Sequence, residues 1–256
     1  MISALYKKLP NNTEKLLRNA VAKGLANGKG NAKIFFRADD IGVPGEQFSK
    51  LIQSFTANKL PLCLAVVPTW LTENRLATLQ QDTGKGNRQW CWHQHGWLHR
   101  NHETEGKKQE FGSARSPVAQ VTDIRKGKDR LEKILGDEFS LYFTPPWNRC
   151  SSDTLEGLQM LGFNAVSRSQ NAKPPAPKNF PDIQVNIDLH TRKETNPQKC
   201  MQALITEITQ GIASGTGGIM IHHQRMNQAA FDFLALLLQI IASNPKLDST
   251  HFHNAR

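Results

Sequence analysis

The sequence predicts an α/β fold built on a parallel sheet, open or closed into a barrel, and three observations predict it. Short apolar runs alternate with longer amphipathic ones along most of the chain, which is the pattern of repeated strand–helix units. A chain of 256 residues can bury about 70–75% of the surface its unfolded form exposes, so one large domain needs neither disulfides nor metal for stability. Four of the seven strand candidates also end in acidic or imidazole-bearing residues, and parallel β/α folds gather their chemistry at that C-terminal end.

Seven runs read as strands: Ile34-Phe35-Phe36, Pro61 to Val67, Gln89 to His95, Leu141-Tyr142-Phe143, Asn164 to Ser167, Ile183 to Ile187 and Gly218 to Ile221. Helical periodicity fills most gaps, over Glu46 to Asn58, Leu71 to Gln80, Val118 to Leu135, Asp153 to Leu161, Gln198 to Ile212 and Asn227 to Ala242. Ser151-Ser152-Asp153 with Glu156 three residues on is a helix start, and Gly136 and Gly162 follow periodic runs where C-terminal glycines belong. Two long connections break the alternation, the polar Arg100 to Pro117 and the proline-rich Asn171 to Pro181. Long loops of this kind are commonly lids over a substrate. Gly24, Gly28 and Gly30 invite a phosphate-loop reading, but Lys29 is followed by glycine rather than Ser or Thr and no strand precedes Gly24, so that reading is rejected.

The net charge of +10 raises the question of a polyanionic partner, but the basic residues are scattered rather than clustered, which disfavours nucleic acid. Cys63, Cys91, Cys150 and Cys200 form no CxxC pair and read as buried reduced thiols rather than a zinc ribbon or redox site. The first ten residues lack the apolar core of a secretory signal, so the expected location is the cytoplasm. The most apolar run, Ala229 to Ala242, contains Asp232 and Gln239 and is too short to span a bilayer; it reads as a buried helix.

The strand ends carry the chemistry. The first ends in Asp39-Asp40, the third in His93 and His95, the fourth in Pro145-Pro146-Trp147-Asn148, the fifth in Ser167-Arg168, the sixth in Asp188-Leu189-His190 and the seventh in His222-His223. Within Trp92 to His99, His95 and His99 stand four apart. If the segment after Gly96 turns helically, both imidazoles leave one face with Cβ atoms about 6 Å apart, a spacing suited to one zinc-type ion.

Four segments resemble the motifs of the polysaccharide deacetylase family, the NodB-homology group of metal-dependent deacetylases. Phe36-Arg37-Ala38-Asp39-Asp40-Ile41-Gly42 is similar to the first, Thr-Phe-Asp-Asp-Gly, with Asp39 at the base position and Asp40 at a metal position. His95-Gly96-Trp97-Leu98-His99 resembles the second, His-x-x-x-His, whose histidines bind metal. Phe143 to Asn148 is similar to the third, which lines the active-site groove, and Ile221-His222 to the last, Leu-His, which supplies the general acid. Order and spacing match from about residue 33 to 242. The resemblance implies a single-domain, distorted (β/α) barrel, usually of seven strands, agreeing with the seven counted above.

The third motif departs from the family: its arginine, which helps orient the base, is replaced by Thr144. Arg37 and Arg168 are the candidate substitutes, and Asp188 is the nearest counterpart of the aspartate that partners that arginine. The expected site is therefore Asp40, His95 and His99 around one divalent ion, zinc foremost, with Asp39 as base and His222 as acid. Pro146, Trp147, Asn148, Trp97 and Arg168 face the substrate, and Arg37, Asp188 and His223 support from behind. Because side chains alternate across a strand, His222 and His223 point to opposite faces if the strand stays regular. The expected activity is removal of an acyl group, most simply acetyl, from an amino sugar or glycan precursor. An amidase or deformylase acting on another small C–N substrate, and a non-catalytic glycan-binding protein that kept the groove, are the alternatives.

Overall fold

A computed structural model describes residues 2–253. Parallel strands alternate with helices, as predicted, in the α/β class of the distorted (β/α) barrels. All seven predicted strands are present and an eighth follows them. The Cα framework forms two compact units: residues up to Ala38 with Gly45–Leu62 and Val185 onward, and Asp39–Pro44 with Cys63–Gln184.

In the first unit, β1 (Ala32–Ile41, through Ala38) pairs in parallel with β7 (Thr216–Ile221), Ile34 opposite Gly217 and Ala38 opposite Ile221. On its other side β1 pairs with β8 (Leu247–Thr250), the strand the sequence reading missed. The predicted run at 183–187 shrinks to β6 (Ile187–Asp188), paired with β7. Four helices belong here: α1 (Thr13–Asn27), α2 (Glu46–Asn58), α6 (Pro197–Ala213) and α7 (Gln228–Ala242). Helix α7 buries Phe231, Phe233, Leu234, Leu237, Leu238, Ile240 and Ile241, which makes it the buried helix expected. Among the described residues no helix is long and apolar enough to cross a membrane.

Helix α1 was not predicted. It packs against α6, and a Cβ at Gly24 would lie 2.8 Å from Ile212 Cβ. The glycines that mimic a phosphate loop thus include one that lets two helices approach closely, a role only a residue without Cβ can fill.

The second unit holds β2 (Leu62–Val66), β3 (Trp90–His95), β4 (Phe139–Thr144) and β5 (Ala165–Val166), side by side in that order, with α3 (Glu73–Thr83), α4 (Pro117–Leu135) and α5 (Ser152–Met160). The last residues of β1 also belong to it: Val67 N–H donates to the Ile41 carbonyl at 2.9 Å. The helix start read at Ser151–Asp153 is present, Ser151 Oγ accepting from the Thr154 amide, and Ser116 Oγ caps α4 by accepting from the amide of Ala119. Phe111, Phe143 and Phe163 pack edge to face in the core of this unit, each such ring contributing roughly 1.5–3 kcal/mol through burial. Phe111 comes from the 100–117 loop, so that loop is anchored in the core rather than free to act as a lid. All four cysteines are buried and unbridged.

Candidate metal centre

Asp40, His95 and His99 converge in the second unit, with one ligand atom from each lying within 4.8 Å of the others. Asp40 is the penultimate residue of β1 and has a left-handed backbone, φ 63°. Its Oδ1 lies 3.3 Å from His95 Nε2 and 3.1 Å from His99 Nε2. His95 ends β3, where strand pairing fixes its backbone, and its Nδ1 lies 2.9 Å from the Thr144 carbonyl. His99 arrives differently from the expectation: residues 96–99 form no helix, and Gly96 (φ 61°) and His99 (φ 55°) turn the chain through left-handed conformations. The spacing of four works here because the loop folds back, leaving the two imidazole centroids 5.1 Å apart.

The hydrogen bonding suits a proton or a metal ion between these groups. A backbone carbonyl only accepts, so His95 Nδ1 must carry the proton in that contact, and the neutral ring then presents a lone pair at Nε2. That lone pair faces a carboxylate oxygen, an arrangement that repels unless a proton or metal ion lies between. Burial pulls the His95 pKa down, but the Asp40 hydrogen bond, the charges of Asp39 and Asp40 and the Thr144 carbonyl outweigh it, so the pKa is raised. Separations of 3.1 and 3.3 Å also match the spacing, about 3.3 Å, that a tetrahedral ion with ~2.0–2.1 Å bonds imposes on neighbouring ligands. Two imidazoles and a carboxylate, one imidazole oriented by the Thr144 carbonyl, therefore fit a divalent ion such as zinc.

Comparison with solved structures decides the fold. At 12% identity and TM-score 0.62, the chain is similar to a Mycobacterium smegmatis protein provisionally described as a polysaccharide deacetylase, over 81% of this chain and 74% of that one. A peptidoglycan deacetylase from Bacillus subtilis matches at 13% identity and TM-score 0.56, over 88% and 90% of the two chains. An acetyl xylan esterase of family 4 from Clostridium thermocellum, solved with a cobalt ion, matches at 10% and 0.57, over 87% and 89%. The chain has the polysaccharide deacetylase fold. By sequence, no family model and no curated protein matches it.

Of the remaining residues expected at the site, several lie with the metal trio in the same unit of the deacetylase fold. Asp39 is buried, and its charge acts on His95. Trp147 and Asn148 both have positive φ, 57° and 60°, in a 3-10 turn after β4, and the Trp147 ring lies 4.6 Å from that of His99. Pro146 is buried; its Cγ would be 2.6 Å from a Cβ at Gly96. Trp97, expected to face substrate, is partly buried and packs against the Phe111 and Phe143 core.

Arg168, also expected to face substrate, is fully buried, donating to Asp182 Oδ2 from Nη2 at 2.7 Å and Nε at 3.2 Å, and to the Pro174 carbonyl at 2.9 Å. A side chain so enclosed holds the 171–181 loop. Thr144, in the place of the family's arginine, bonds to His93 Nε2 through its hydroxyl at 2.9 Å.

The other expected residues belong to the first unit. Arg37 is buried with Nη2 3.2 Å from Met220 Sδ. Asp188 caps a turn, its Oδ1 accepting from the amides of His190 and Thr191, while Asp182 is the aspartate that pairs with the buried Arg168. Strand β7 stops at Ile221, and His223 opens a 3-10 turn, buried edge-on to Phe48 at 6.0 Å. His222 is half-buried and donates its backbone N–H to His190 Nδ1 at 3.1 Å. Burial, then repulsion from His222, His223 and Arg225, holds the His190 pKa well below the ordinary histidine value.

Two residues beside the metal trio escaped sequence reasoning. Trp70 packs its ring 5.7 Å from His99; it follows the end of β2, the one strand end left out of the sequence argument. Glu110, fully buried, accepts from the amides of Trp97, Leu98 and His99. Burial raises its pKa, while those bonds and the two histidines pull the other way. It lies in the stretch read as a polar loop, where no pattern in the sequence marked it.

Proposed function

We propose that the chain is a metal-dependent hydrolase that removes an acyl group, acetyl foremost, from an amino sugar or glycan precursor. The observation that carries this is the convergence of His95 Nε2 and His99 Nε2 on Asp40 Oδ1, three ligand atoms around one point, with His95 Nδ1 held at the Thr144 carbonyl. The deacetylase fold agrees with it.

Asp40, His95 and His99 would hold one divalent ion, zinc by preference for a two-histidine, one-carboxylate set. Such an ion supplies Lewis acidity that polarises an acyl carbonyl and acidifies water toward neutral pH. Asp39, buried and adjacent to a ligand, is assigned as the base that takes the proton of the attacking water, a role worth roughly 10²–10⁴-fold. His222 is assigned as the acid, on the resemblance of Ile221-His222 to the family's last motif; it would protonate the departing amine, without which an amide leaves poorly. Trp147 and Trp70, flanking His99, form an apolar wall suited to the face of a sugar.

The test is elemental analysis of the purified protein followed by acetate release from a panel of N-acetylated amino sugars. One equivalent of divalent metal is expected, and His95→Ala and His99→Ala should each lose metal and activity together. A full equivalent retained with unchanged affinity by either variant would show the ligand set to be wrong. Formate release from N-formyl compounds with no acetate release would move the substrate class to the deformylase alternative.

A further inference from the structure

Resting on the metal reading above, we propose that Glu110 is the positioning residue that sets the affinity of the metal centre, by holding residues 97–99 in the conformation that presents His99. The two histidine ligands are supported unequally. His95 sits in a paired strand and its ring is fixed by Thr144, whereas His99 hangs on a loop with no helical or strand hydrogen bonds of its own. The amides of such a loop need acceptors from elsewhere.

Glu110 supplies them. Its Oε1 accepts from the Leu98 amide at 2.6 Å, its Oε2 from the His99 amide at 3.2 Å, and both oxygens lie 3.3 Å from the Trp97 amide. Three consecutive N–H groups on one carboxylate form a charge-assisted clamp, and one of them belongs to the ligand residue itself. His99 has φ 55°, a conformation that a residue with a Cβ rarely keeps without outside support.

The clamp is built into the packing on both sides. A Cβ at Gly96 would lie 2.2 Å from Glu110 Oε2, so the carboxylate occupies space that only glycine leaves open. Behind Glu110, Phe111 is fully buried in the core of the same unit. The rigidity of the core therefore reaches His99 through one carboxylate, 11 residues further along the chain.

Glu110→Gln keeps the shape but loses the charge and sets an amide nitrogen against backbone N–H groups. Outer-shell changes of this kind weaken metal binding by roughly 10–100-fold, and that range is expected here. The experiment titrates chelator-treated wild type and Glu110→Gln with cobalt(II) and measures amide hydrogen exchange across 97–99 in both. Weaker cobalt binding together with faster exchange at these amides supports the proposal.

Unchanged cobalt affinity in the variant overturns it, as do amides at 97–99 that are unprotected in the wild type. Should the wild type bind no cobalt, zinc or nickel, the metal reading falls and the affinity role falls with it, an outcome distinct from normal wild-type binding matched by the variant. If Glu110→Gln does not fold, Glu110→Asp takes its place. It keeps the charge but is one methylene short of the clamp, and both readouts should move in the same direction.

Discussion

Asp182→Asn tests whether Arg168 is a buried structural cation or a substrate contact. The Arg168 side chain is 0% exposed and that of Asp182 11%, with Nη2 to Oδ2 at 2.7 Å. Removing the carboxylate's charge leaves the guanidinium enclosed with the Pro174 carbonyl at 2.9 Å and the Cys150 sulfur at 3.9 Å. That sulfur cannot replace the anion, because burial pushes the Cys150 thiol up to about 12 and keeps it protonated. Breaking a buried pair from one side costs about 3–5 kcal/mol, and in a chain of this size each kcal/mol lowers the melting temperature by roughly 2–4 °C. The expected drop is therefore roughly 6–20 °C at neutral pH, read by calorimetry or circular dichroism. Glu46→Gln is the control: its pair with Lys50 is exposed at 73% and 43%, and losing it should move the midpoint by about 2 °C at most. A melting temperature for Asp182→Asn no lower than that of the control would refute the reasoning, and an Arg168→Lys variant of unchanged stability but raised KM would restore the substrate role.

The neighbouring aspartates should separate by assay: Asp40→Asn weakens metal binding, whereas Asp39→Asn keeps the metal and lowers kcat, with the reverse pattern exchanging their roles. His222→Ala should lower kcat on an N-acetyl amide by on the order of 10²-fold or more while sparing an activated ester; an amide-selective defect in His223→Ala instead would shift the acid by one residue. For His190 the folded pKa is depressed, so the unfolded chain binds the extra proton first, and the stability it contributes is present above about pH 6.5 and lost as pH falls below that. Wild type should accordingly lose more melting temperature than His190→Asn between pH 7.5 and 5.5, and equal losses would contradict the burial of a neutral ring.

What was legible in the sequence follows from local physics. Helix α2 has the predicted bounds, and α4 to α7 lie within one or two residues of theirs, because each buries a clear apolar stripe between recognisable caps. Asp40, His95 and His99 do lie together; the resemblance to the deacetylase motifs singled them out, and the convergence of strand ends in this class of fold agreed with it for Asp40 and His95. Helix α1 was not legible, because its buried face uses Thr13, Ala20 and Gly24 beside Leu17 and Val21; small residues admit α6 at close range but leave little hydrophobic signal. Strand β8 was missed for a related reason, since Asp248 and Ser249 interrupt a four-residue run that pairs only with the start of β1. Glu110, Trp70 and the Arg168–Asp182 pair depend on contacts across 11 or more residues of chain, and no periodicity encodes a contact of that kind.

The backbone conformations explain why the ligand spacing alone was a weaker guide than it first looks. Among the described residues six non-glycine positions have positive φ, and three of them, Asp40, His99 and Trp147, are at the proposed centre with Asn148 next in the chain. A helix would have placed His95 and His99 on one face at no conformational cost; this chain reaches the same end through residues held where side chains are disfavoured, at about 1–3 kcal/mol each. Such a cost persists only where neighbours over-determine the conformation, and they do so here. Strand pairing and the Ile41–Val67 bond fix the chain just beyond Asp40, Glu110 fixes His99, and the bond from the Asn148 amide to the Pro145 carbonyl closes the turn that carries Trp147. Strain gathered at one point and supported from three separate segments marks a place where geometry is kept at the expense of stability. Three ligand atoms gathered within 4.8 Å of one another are the feature there that gives this cost a purpose.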